Sequence, residues 1–354
     1  MKSWVRFDSQ ILLEQEYGGI SRYFTSLAAA LAGRGDWGVE VGRWLAVNRY
    51  PLGAPGIRRI GLPSRPWPRG DRFRQMIGGW LDATTISASR FDVLHCTNYR
   101  LPPPTGARVV VTIYDCIAEL FPERGPDPTI DLKRQIAERA DLVVCISETT
   151  ARDLVRLHGV ARDKVRVIHL ASSLPNPSQE GPLYPRPYLL FVGLRASYKN
   201  WGLLRRAYES EPRLYRNYDL VCFGGPSILI DERPLQGRMV RLSGSDQTLS
   251  NLYRHAAGLV YPTLYEGFGL PPLEAWQCSC PVFHCGGGSV EEVVGEAGLR
   301  LHSQDAGAFA SALADALFDR GRIAGLIAMG RSRLARYSWE RCAAAHAEAY
   351  TSLL

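Results

Sequence analysis

Residues 261–275 read YPTLYEGFGLPPLEA and connect an apolar run to a helix-like one. The short run at 259–261 is typical of a buried strand, Gly267 and Gly269 lie in a turn, and Pro271-Pro272 suits the first turn of a helix. A strand that passes through a glycine-containing turn into a helix is typical of a parallel α/β sheet. Ligands of such sheets bind at the carboxyl ends of the strands, so the turn predicts a binding site.

Strand-like runs alternate with helix-like stretches along the whole chain. The runs at 93–96, 109–113 and 188–192 are short and apolar, and each leads into glycine or a polar residue. This alternation predicts parallel sheets covered by helices on both faces. Near the N-terminus, Gly18 and Gly19 precede a stretch whose apolar residues recur at helical spacing.

The length of the chain, 354 residues, predicts two domains, because single hydrophobic cores rarely grow past about 300 residues. Five prolines interrupt the stretch from Leu174 to Pro187, which has no periodicity and is typical of a linker. The expected segments are an N-terminal domain at 1–174, a linker at 175–187, a C-terminal domain at 188–336 and a terminal helix at 337–354 that packs back toward the N-terminal domain.

The composition, with 46% hydrophobic and 22% charged residues, excludes a fully disordered chain. Lysine and arginine exceed aspartate and glutamate by 42 − 35 = +7, a modest excess that does not require a nucleic-acid partner. No apolar run approaches the roughly 18 residues of a membrane span. Residues 1–8 carry charges where a signal peptide needs an apolar stretch, so we expect a cytoplasmic protein.

The cysteines predict free thiols and no metal site. Cys145 and Cys222 lie in apolar strand-like runs, where a thiol packs as a small hydrophobe. Cys278, Cys280 and Cys285 do not have the Cys-x2-Cys spacing and second ligand pair of a zinc site.

A second loop with binding potential follows the strand-like run at 188–192. It holds Arg195 and Lys199, four residues apart, ahead of a helix-like stretch. Arginine can grip phosphate oxygens with two hydrogen bonds and lysine acts as a compact point charge, so the pair suits a diphosphate. The alternative is a solvated basic loop.

Glu266 and Glu274, eight residues apart around the glycine turn, could each accept hydrogen bonds from sugar hydroxyls. The alternatives are that Glu274 only complements the helix dipole and that Glu266 is a surface turn acid. The combination with Gly267 and Gly269 favours the binding interpretation.

In this context the two glutamates resemble the Glu-x7-Glu motif of the family 4 retaining glycosyltransferases, most like bacterial mannosyltransferase-type members. The resemblance extends over nearly the whole chain and includes, in order, GGISRYF at 18–24, TIYD at 112–115, CISE at 145–148, the Arg195/Lys199 loop, FGGP at 223–226 and YSWE at 337–340. It implies the GT-B fold, in which two Rossmann-like doubly wound parallel-sheet domains face each other across a deep cleft.

The resemblance also implies roles for the donor residues. Arg195 and Lys199 would hold the donor diphosphate and neutralise the departing nucleotide, and Glu266 would face the donor sugar. Glu274 would accept from the ribose hydroxyls. The remaining donor-binding residues would be Gly18, Gly19, Gly224, Gly267, Phe268, Gly269 and Leu270; the first two would let the backbone approach the phosphate closely.

Acceptor contacts are expected from Tyr114, Asp115 and His95. Many relatives carry histidine where this chain has Tyr114, and tyrosine, with an ordinary pKa of about 10, is a poor proton acceptor near pH 7. Asp115 has two interpretations, an acceptor contact and a local structural hydrogen bond. His95 likewise is either a substrate ligand or a structural histidine satisfied by its neighbours.

These implied roles predict a metal-independent, retaining hexosyltransferase with no cofactor besides its nucleotide-sugar co-substrate. Front-face transfer is expected, with the donor phosphate taking the acceptor proton. We expect GDP-mannose as donor and a glycan or lipid-linked glycan acceptor in surface-polysaccharide or lipopolysaccharide biosynthesis. The alternatives are a nucleotide-sugar epimerase, a phosphorylase and a catalytically silent nucleotide-sugar-binding protein.

Arginines at 58, 59, 65, 69, 72 and 74 are interspersed with aromatic residues such as Trp67 and Phe73. This mixture predicts peripheral contact with an anionic membrane, at the inner face of the plasma membrane, where each cation near the headgroups contributes about 1 kcal/mol. A solvated loop is the equal alternative.

Overall fold

A computed structural model describes residues 2–62, 71–195, 197–225, 235, 237–302 and 304–354. The chain forms two compact units. Unit 1 comprises residues 1–170 and 339–354, and unit 2 comprises residues 171–338, including the proline-rich stretch at 175–187. Of the residues discussed above, Arg65, Trp67, Arg69 and Pro226 lie outside the described residues.

Unit 1 is built on a parallel sheet whose seven strands, within the described residues, run in the order β3-β2-β1-β4-β5-β6-β7. Its strands are β1 Ser3–Phe7, β2 Trp37–Gly42, β3 Ile57–Ile60, β4 Val93–Cys96, β5 Arg108–Ile113, β6 Leu142–Cys145 and β7 Val165–Val167. Its helices are α1 Gln10–Glu14, α2 Gly19–Arg34, α3 Asp71–Ala88, α4 Ile117–Leu120, α5 Thr129–Arg139, α6 Glu148–His158 and α14 Trp339–Thr351.

Unit 2 is built on a second parallel sheet, with the order β10-β9-β8-β11-β12-β13. Its strands are β8 Tyr188–Val192, β9 Asp219–Phe223, β10 Met239–Leu242, β11 Gly258–Tyr261, β12 Val282–His284 and β13 Leu299–Arg300. Its helices are α7 Trp201–Ser210, α8 Pro212–Asn217, α9 Asp246–His255, α10 Leu270–Gln277, α11 Val290–Val294, α12 Ala306–Phe318 and α13 Arg320–Leu334. The two parallel sheets confirm the predicted pair of Rossmann-like domains.

The cores follow from the sequence pattern. The strands are apolar on both faces because helices cover both faces of each sheet, and Leu189, Leu220 and Val260 are fully buried. In unit 1, α2 buries Phe24 and Leu27 on one stripe and ends at Gly35, whose φ of +80° favours glycine.

No helix in the described part of the chain has the length and apolar character needed to cross a membrane.

Both sheets contain a switch point, a place where the connections that follow two neighbouring strands leave in opposite directions. In unit 1 it lies between β1 and β4, and in unit 2 between β8 and β11. Loops that leave neighbouring strands at a switch point open a crevice at the carboxyl edge of the sheet. The Arg195/Lys199 loop follows β8 and the Glu266 loop follows β11, so both predicted donor loops lie at the switch point of unit 2.

Candidate functional site

The loops after β8 and β11 are tied together by hydrogen bonds to one carbonyl group. The backbone N–H of Leu264 donates to the Tyr198 carbonyl oxygen at 2.8 Å, and the Thr263 hydroxyl donates to the same oxygen at 3.1 Å. Since Tyr198 precedes Lys199 and Thr263 lies three residues before Glu266, these bonds bring the two predicted site residues to the same place.

Lys199 and Glu266 form an ion pair. The Lys199 Nζ donates to Glu266 Oε1 at 2.5 Å, and the two side chains are only 12% and 11% exposed. The ammonium also lies 5.3 Å from the ring centroids of Tyr198 and Tyr261. Burial next to the Glu266 carboxylate raises the pKa of Tyr261 well above its usual value, so its hydroxyl stays neutral. The pair is thus two charges held in a largely dry setting, where each compensates the other.

A glycine loop after β12 holds the backbone of Glu266 in place. A Cβ on Gly288, whose φ is +61°, would lie 2.6 Å from the Glu266 carbonyl oxygen, and a Cβ on Gly287 would lie 2.2 Å from the carbonyl carbon of Leu264. The N–H and hydroxyl of Ser289 both donate to the Glu266 carbonyl oxygen, at 3.1 and 2.9 Å. This loop is absent from the residues predicted above. Its signal is the run Cys-Gly-Gly-Gly-Ser at 285–289, directly after a strand-like run.

Arg195 lies in the same loop as Lys199, next to the loop that follows β9. A Cβ on Gly225, at φ +74°, would lie 3.5 Å from Arg195 Nη1 and 3.2 Å from the Gly193 carbonyl oxygen. The N–H of Gly193 donates to the Phe223 carbonyl oxygen at 3.0 Å, which joins the two loops. Gly224, also predicted, has a φ of +82°, so the turn needs glycine at both positions.

The second predicted glutamate lies inside α10. Glu274 is 5% exposed, and its Oε2 accepts a hydrogen bond from the Tyr253 hydroxyl at 3.0 Å. Burial and the neighbouring Glu274 carboxylate raise the pKa of Tyr253 well above its usual value, which keeps it a donor.

The residues between the two glutamates lead into α10. Gly269, at φ +100°, precedes its first residue, Leu270. Phe268 is 3% exposed and packs against Tyr337, with ring centroids 5.8 Å apart. Gly267 immediately precedes Phe268 in this turn. The turn is therefore anchored at Phe268 and bent at Gly269, directly before α10.

In unit 1, Gly18 and Gly19 lie at the start of α2. A Cβ on Gly18 would lie 2.2 Å from Gln15 Oε1, which itself accepts from the Ser21 N–H at 3.2 Å. A Cβ on Gly19 would meet no atom within 4 Å. A Cβ on Gly18 would therefore displace the end of the flexible Gln15 side chain and its bond to Ser21, whereas Gly19 faces open space.

His95 lies in the interior of unit 1. It is fully buried, and its Nδ1 and Nε2 lie 2.6 Å from the Tyr350 hydroxyl and 2.8 Å from Thr112 Oγ1. Both ring nitrogens are therefore engaged within the chain, which favours the structural alternative for this histidine.

Tyr114 and Asp115 lie at the carboxyl end of β5. The Tyr114 hydroxyl donates to the Thr97 carbonyl oxygen at 2.7 Å, and burial raises its pKa well above the usual value. Asp115 Oδ1 accepts from the Ile117 N–H at 2.9 Å, while its carbonyl oxygen accepts from Lys133 Nζ at 2.8 Å. Asp115 is half-buried and thus has a local structural bond while remaining within reach of solvent.

The switch point of unit 1 holds a pocket of about 270 Å³ that is absent from the predicted sites. Asp8 follows β1 and lines this pocket together with Arg100, which follows β4. Burial raises the pKa of Asp8 to about 6, opposed by the nearby Arg100 guanidinium. The position of Asp8 directly after the first strand-like run is the signal in the sequence.

One group of side chains in the described residues has the composition of a metal site. Cys116, Glu119 and His158 place one ligand atom each within 4.8 Å of one another. Lys133 Nζ, however, donates to both Glu119 oxygens, at 2.7 and 3.0 Å. Burial opposes ionisation of Glu119, but the bonds from the His158 ring and the Lys133 ammonium together lower its pKa to about 2, so a cation of the protein already balances this carboxylate.

Comparisons with known proteins fall on the same segments. Residues 17–171 match a model described as Glycosyltransferase Family 4, and residues 186–319 match one described as Glycosyl transferases group 1. The chain is 30% identical over 284 aligned positions to the O-antigen chain mannosyltransferase B of Escherichia coli, covering 74% of each protein.

A second relative and a solved structure extend the similarity to the whole chain. The D-inositol 3-phosphate glycosyltransferase of Thermobispora bispora is 30% identical over 391 aligned positions, covering 95% of this chain and 90% of that protein. The sucrose-phosphate synthase of Thermosynechococcus elongatus has a similar fold, with a TM-score of 0.79 at 22% identity, over 100% of this chain and 99% of that one.

Proposed function

The chain belongs to glycosyltransferase family 4, and on that premise we propose that it transfers mannose from GDP-mannose to a glycan or lipid-linked glycan acceptor in the synthesis of a surface polysaccharide. The observation that carries the donor site is the pairing of Lys199 with Glu266 at the switch point of unit 2, beside Arg195. Similarity to the E. coli O-antigen chain mannosyltransferase B supports mannose as the sugar.

The ion pair suggests how the donor is received. Lysine has three N–H donors on one flexible stem, so the Lys199 ammonium can turn from Glu266 to a phosphate oxygen without leaving the site. The Glu266 carboxylate is then released to accept from a sugar hydroxyl. Glu274, whose Oε2 accepts from Tyr253, is proposed to accept a further hydrogen bond from a nucleotide hydroxyl, because a carboxylate can accept several.

Two cations of the protein would then neutralise the charge that develops on the leaving diphosphate. Arg195 and Lys199 lie in one loop, and preorganised cations aimed at developing charge commonly provide a large share of the rate enhancement in such transfers. We propose that these two side chains make a divalent ion and any other cofactor unnecessary. Transfer that is unchanged by a chelator is the expected result, and transfer that needs added Mg²⁺ or Mn²⁺ would overturn this part.

Retention of the anomeric configuration is proposed to occur by front-face transfer. A double displacement would require a free carboxylate as nucleophile on the opposite face of the sugar. Glu266, once Lys199 turns to the phosphate, is proposed to accept from a sugar hydroxyl, so we do not assign it as that nucleophile. The acceptor hydroxyl would instead arrive on the side of the departing phosphate, which takes its proton.

Acceptor contacts are proposed for Tyr114 and Asp115 in unit 1. Tyr114 stays protonated because burial raises its pKa, so it can hold a bond but not act as a base near neutral pH. Asp115 is half-buried, and its carboxylate, which accepts from the Ile117 N–H, is proposed to accept from the acceptor as well. His95 is bonded on both nitrogens and is not part of this proposal.

A donor panel tests the proposal. GDP-mannose, UDP-glucose and ADP-glucose are compared by thermal shift in the presence of a chelator, because a ligand stabilises the state it binds. Stabilisation by GDP-mannose alone is expected, and a response to another donor only would contradict GDP-mannose as the donor.

Product analysis with a soluble lipid-linked acceptor mimic tests the reaction and should show an α-mannosyl linkage. The absence of a glycosidic product would contradict the assignment and favour an epimerase, a phosphorylase or a non-catalytic binding protein.

A further inference from the structure

Helix α3 of unit 1 has its apolar and charged faces in the reverse of the usual arrangement. Its buried residues include Arg74 and Asp82, which are 5% and 0% exposed. Its outward residues include Phe73, Met76 and Trp80, which are 45%, 63% and 66% exposed. An amphipathic helix of a globular protein ordinarily turns its apolar stripe to the core.

The buried charges fix this orientation. Arg74 Nη1 donates to the Leu13 carbonyl oxygen at 2.8 Å, and Asp82 pairs with Arg6 at 3.0 Å and accepts from the Ser9 N–H at 2.7 Å. Turning α3 to bury its apolar stripe would remove these partners from two buried charges, which is strongly unfavourable. The outward stripe is therefore a stable feature of unit 1.

The three exposed side chains form one continuous strip. They are spaced three and four residues apart, so they lie above one another on the same helix face. Leu62, which is 72% exposed, is the last described residue before the segment that leads into α3. A strip of large apolar residues that includes tryptophan is typical of a surface that binds a partner or a membrane interface.

The charged residues near the strip indicate what kind of partner binds to it. Arg72 is exposed at the start of α3, and Arg59 is exposed on the edge strand β3. Within described α3, the outward carboxylate is Asp71, which pairs with Arg74. A second copy of the chain would present the same exposed arginines to this face, whereas an anionic surface complements them.

We propose that Phe73, Met76 and Trp80 insert into the headgroup region of an anionic lipid bilayer, with Arg59 and Arg72 at the lipid phosphates. This corrects the predicted arginine cluster in two places. Arg74 is buried and structural, and Arg58 is bonded to Glu40 at 2.6 Å with its guanidinium 4.3 Å from the Trp4 ring centroid. The apolar strip, rather than the arginines alone, provides the main attachment.

The inference does not depend on the identity of the sugar, so its test uses binding alone. The full chain is sedimented with vesicles of phosphatidylglycerol and phosphatidylethanolamine, and with vesicles of phosphatidylcholine alone. The triple variant Phe73→Ser/Met76→Ser/Trp80→Ser should bind the anionic vesicles on the order of a hundredfold more weakly, because three inserted side chains are lost. Its transfer to a soluble acceptor should be unchanged, which separates this test from that of the proposed function.

A matched control removes equally exposed apolar residues from unit 2. Phe318→Ser/Met329→Ser changes side chains that are 53% and 43% exposed and should bind vesicles as the wild type does. Arg59→Gln/Arg72→Gln should weaken binding to anionic vesicles by about tenfold and leave binding to phosphatidylcholine unchanged.

Three outcomes would overturn the proposal. They are wild-type protein that stays in the supernatant with anionic vesicles, a triple variant that binds as tightly as the wild type, and a wild-type dimer in light scattering that the triple variant converts to monomer without any vesicle binding. The last outcome would assign the strip to a second copy. If the triple variant loses its helical circular-dichroism signal, the single variant Trp80→Ser, with an expected loss of about tenfold, decides instead.

Discussion

In unit 2 the side chains that meet beneath the loops are charged, whereas in unit 1 the polar side chains beneath α14 are neutral. Lys199 and Glu266 form an ion pair at the edge of their sheet and keep some exposure to solvent. His95 and His346 are completely buried, with ring centroids 5.8 Å apart. Burial lowers the pKa of both imidazoles, that of His346 to about 4.

The neutral cluster consists of Tyr23, His95, Thr112, His346 and Tyr350, and its hydrogen bonds have one consistent set of donors and acceptors. His346 Nδ1 lies 2.8 Å from the Cys342 carbonyl oxygen, which can only accept, so Nδ1 carries the proton. The neutral ring then offers Nε2 as an acceptor, and the Tyr23 hydroxyl, 2.9 Å away, donates to it. Since its one proton is used there, Tyr23 can only accept from a further neighbour.

That neighbour is Thr112, whose hydroxyl lies 3.3 Å from that of Tyr23. If Thr112 donates to Tyr23, its oxygen accepts from His95 Nε2, and His95 Nδ1 accepts from the Tyr350 hydroxyl. Every N–H and O–H of these five side chains then has an acceptor within unit 1. The ion pair of unit 2 differs because phosphate and sugar oxygens can replace the partners of both side chains.

Removing the cation of the ion pair should have the largest effect. Lys199→Ala removes the point charge that we propose neutralises the departing diphosphate, so we expect kcat to fall on the order of 10³-fold. A transfer assay with purified protein measures this, with Lys2→Ala, an exposed lysine, as the control. Full activity of Lys199→Ala would remove the diphosphate role.

The neutral cluster should make the stability of the fold depend on pH. Because the pKa of His346 falls from 6.5 to about 4 on folding, the unfolded chain binds more protons between those values, and stability rises with pH across that window, by roughly 3 kcal/mol. Asp8 acts oppositely: its pKa rises from 3.8 to about 6, so its contribution declines as pH rises through that range.

Asp8→Asn should therefore make the rise in stability with pH steeper. Urea unfolding between pH 4 and 6.5 measures the slope, since the free energy of unfolding extrapolates linearly with denaturant. Asp71→Asn, in a side chain that is 86% exposed, should leave the slope unchanged. A flat profile in Asp8→Asn would contradict a buried neutral His346.

Neutralising the anion of the ion pair should affect turnover more than binding. In Glu266→Gln the carboxylate that we propose to face the sugar is lost while Lys199 remains, so we expect kcat to fall about 10²-fold with little change in nucleotide affinity. Steady-state kinetics and calorimetry separate the two quantities. Glu291→Gln, at a half-exposed position in unit 2, is the control; equal losses in both variants would count against a role for Glu266.

The smallest effect on transfer should come from breaking the neutral cluster. Tyr23→Phe leaves His346 Nε2 without its donor and should lower the free energy of unfolding by about 1–3 kcal/mol. The kcat of the folded protein should not change. Tyr17→Phe, at a 65% exposed position, should change neither quantity. A loss of turnover at unchanged stability in Tyr23→Phe would show that the cluster takes part in the reaction.

Local patterns in the sequence predict the framework and part of the site. The strands at 93–96 and 188–192 are found at their predicted bounds, and the two cationic and acidic loops lie after neighbouring strands. These features depend on short apolar runs and glycine turns, which are local. The contact between Lys199 and Glu266, 67 residues apart, depends on sheet order and is not visible in either segment alone.

The features that local patterns do not predict are long-range. His95 lies near the end of strand β4 and therefore has the signal of a site residue, but α14 returns from 255 residues away to place the Tyr350 hydroxyl on its Nδ1. The outward apolar strip of α3 is equally unexpected, since its periodicity predicts the opposite orientation and the buried partners of Arg74 and Asp82 override it.

Calorimetric titration of GDP-mannose into three proteins tests the central contrast most directly. Wild type, Lys199→Ala and Tyr23→Phe are compared in chelator at a temperature where all are folded. The donor should bind wild type and Tyr23→Phe with equal affinity and Lys199→Ala on the order of a hundredfold more weakly, as expected for the loss of a charge-assisted hydrogen bond. Equal affinity in all three proteins, or a loss confined to Tyr23→Phe, would contradict the assignment of the donor site to the charged pair of unit 2.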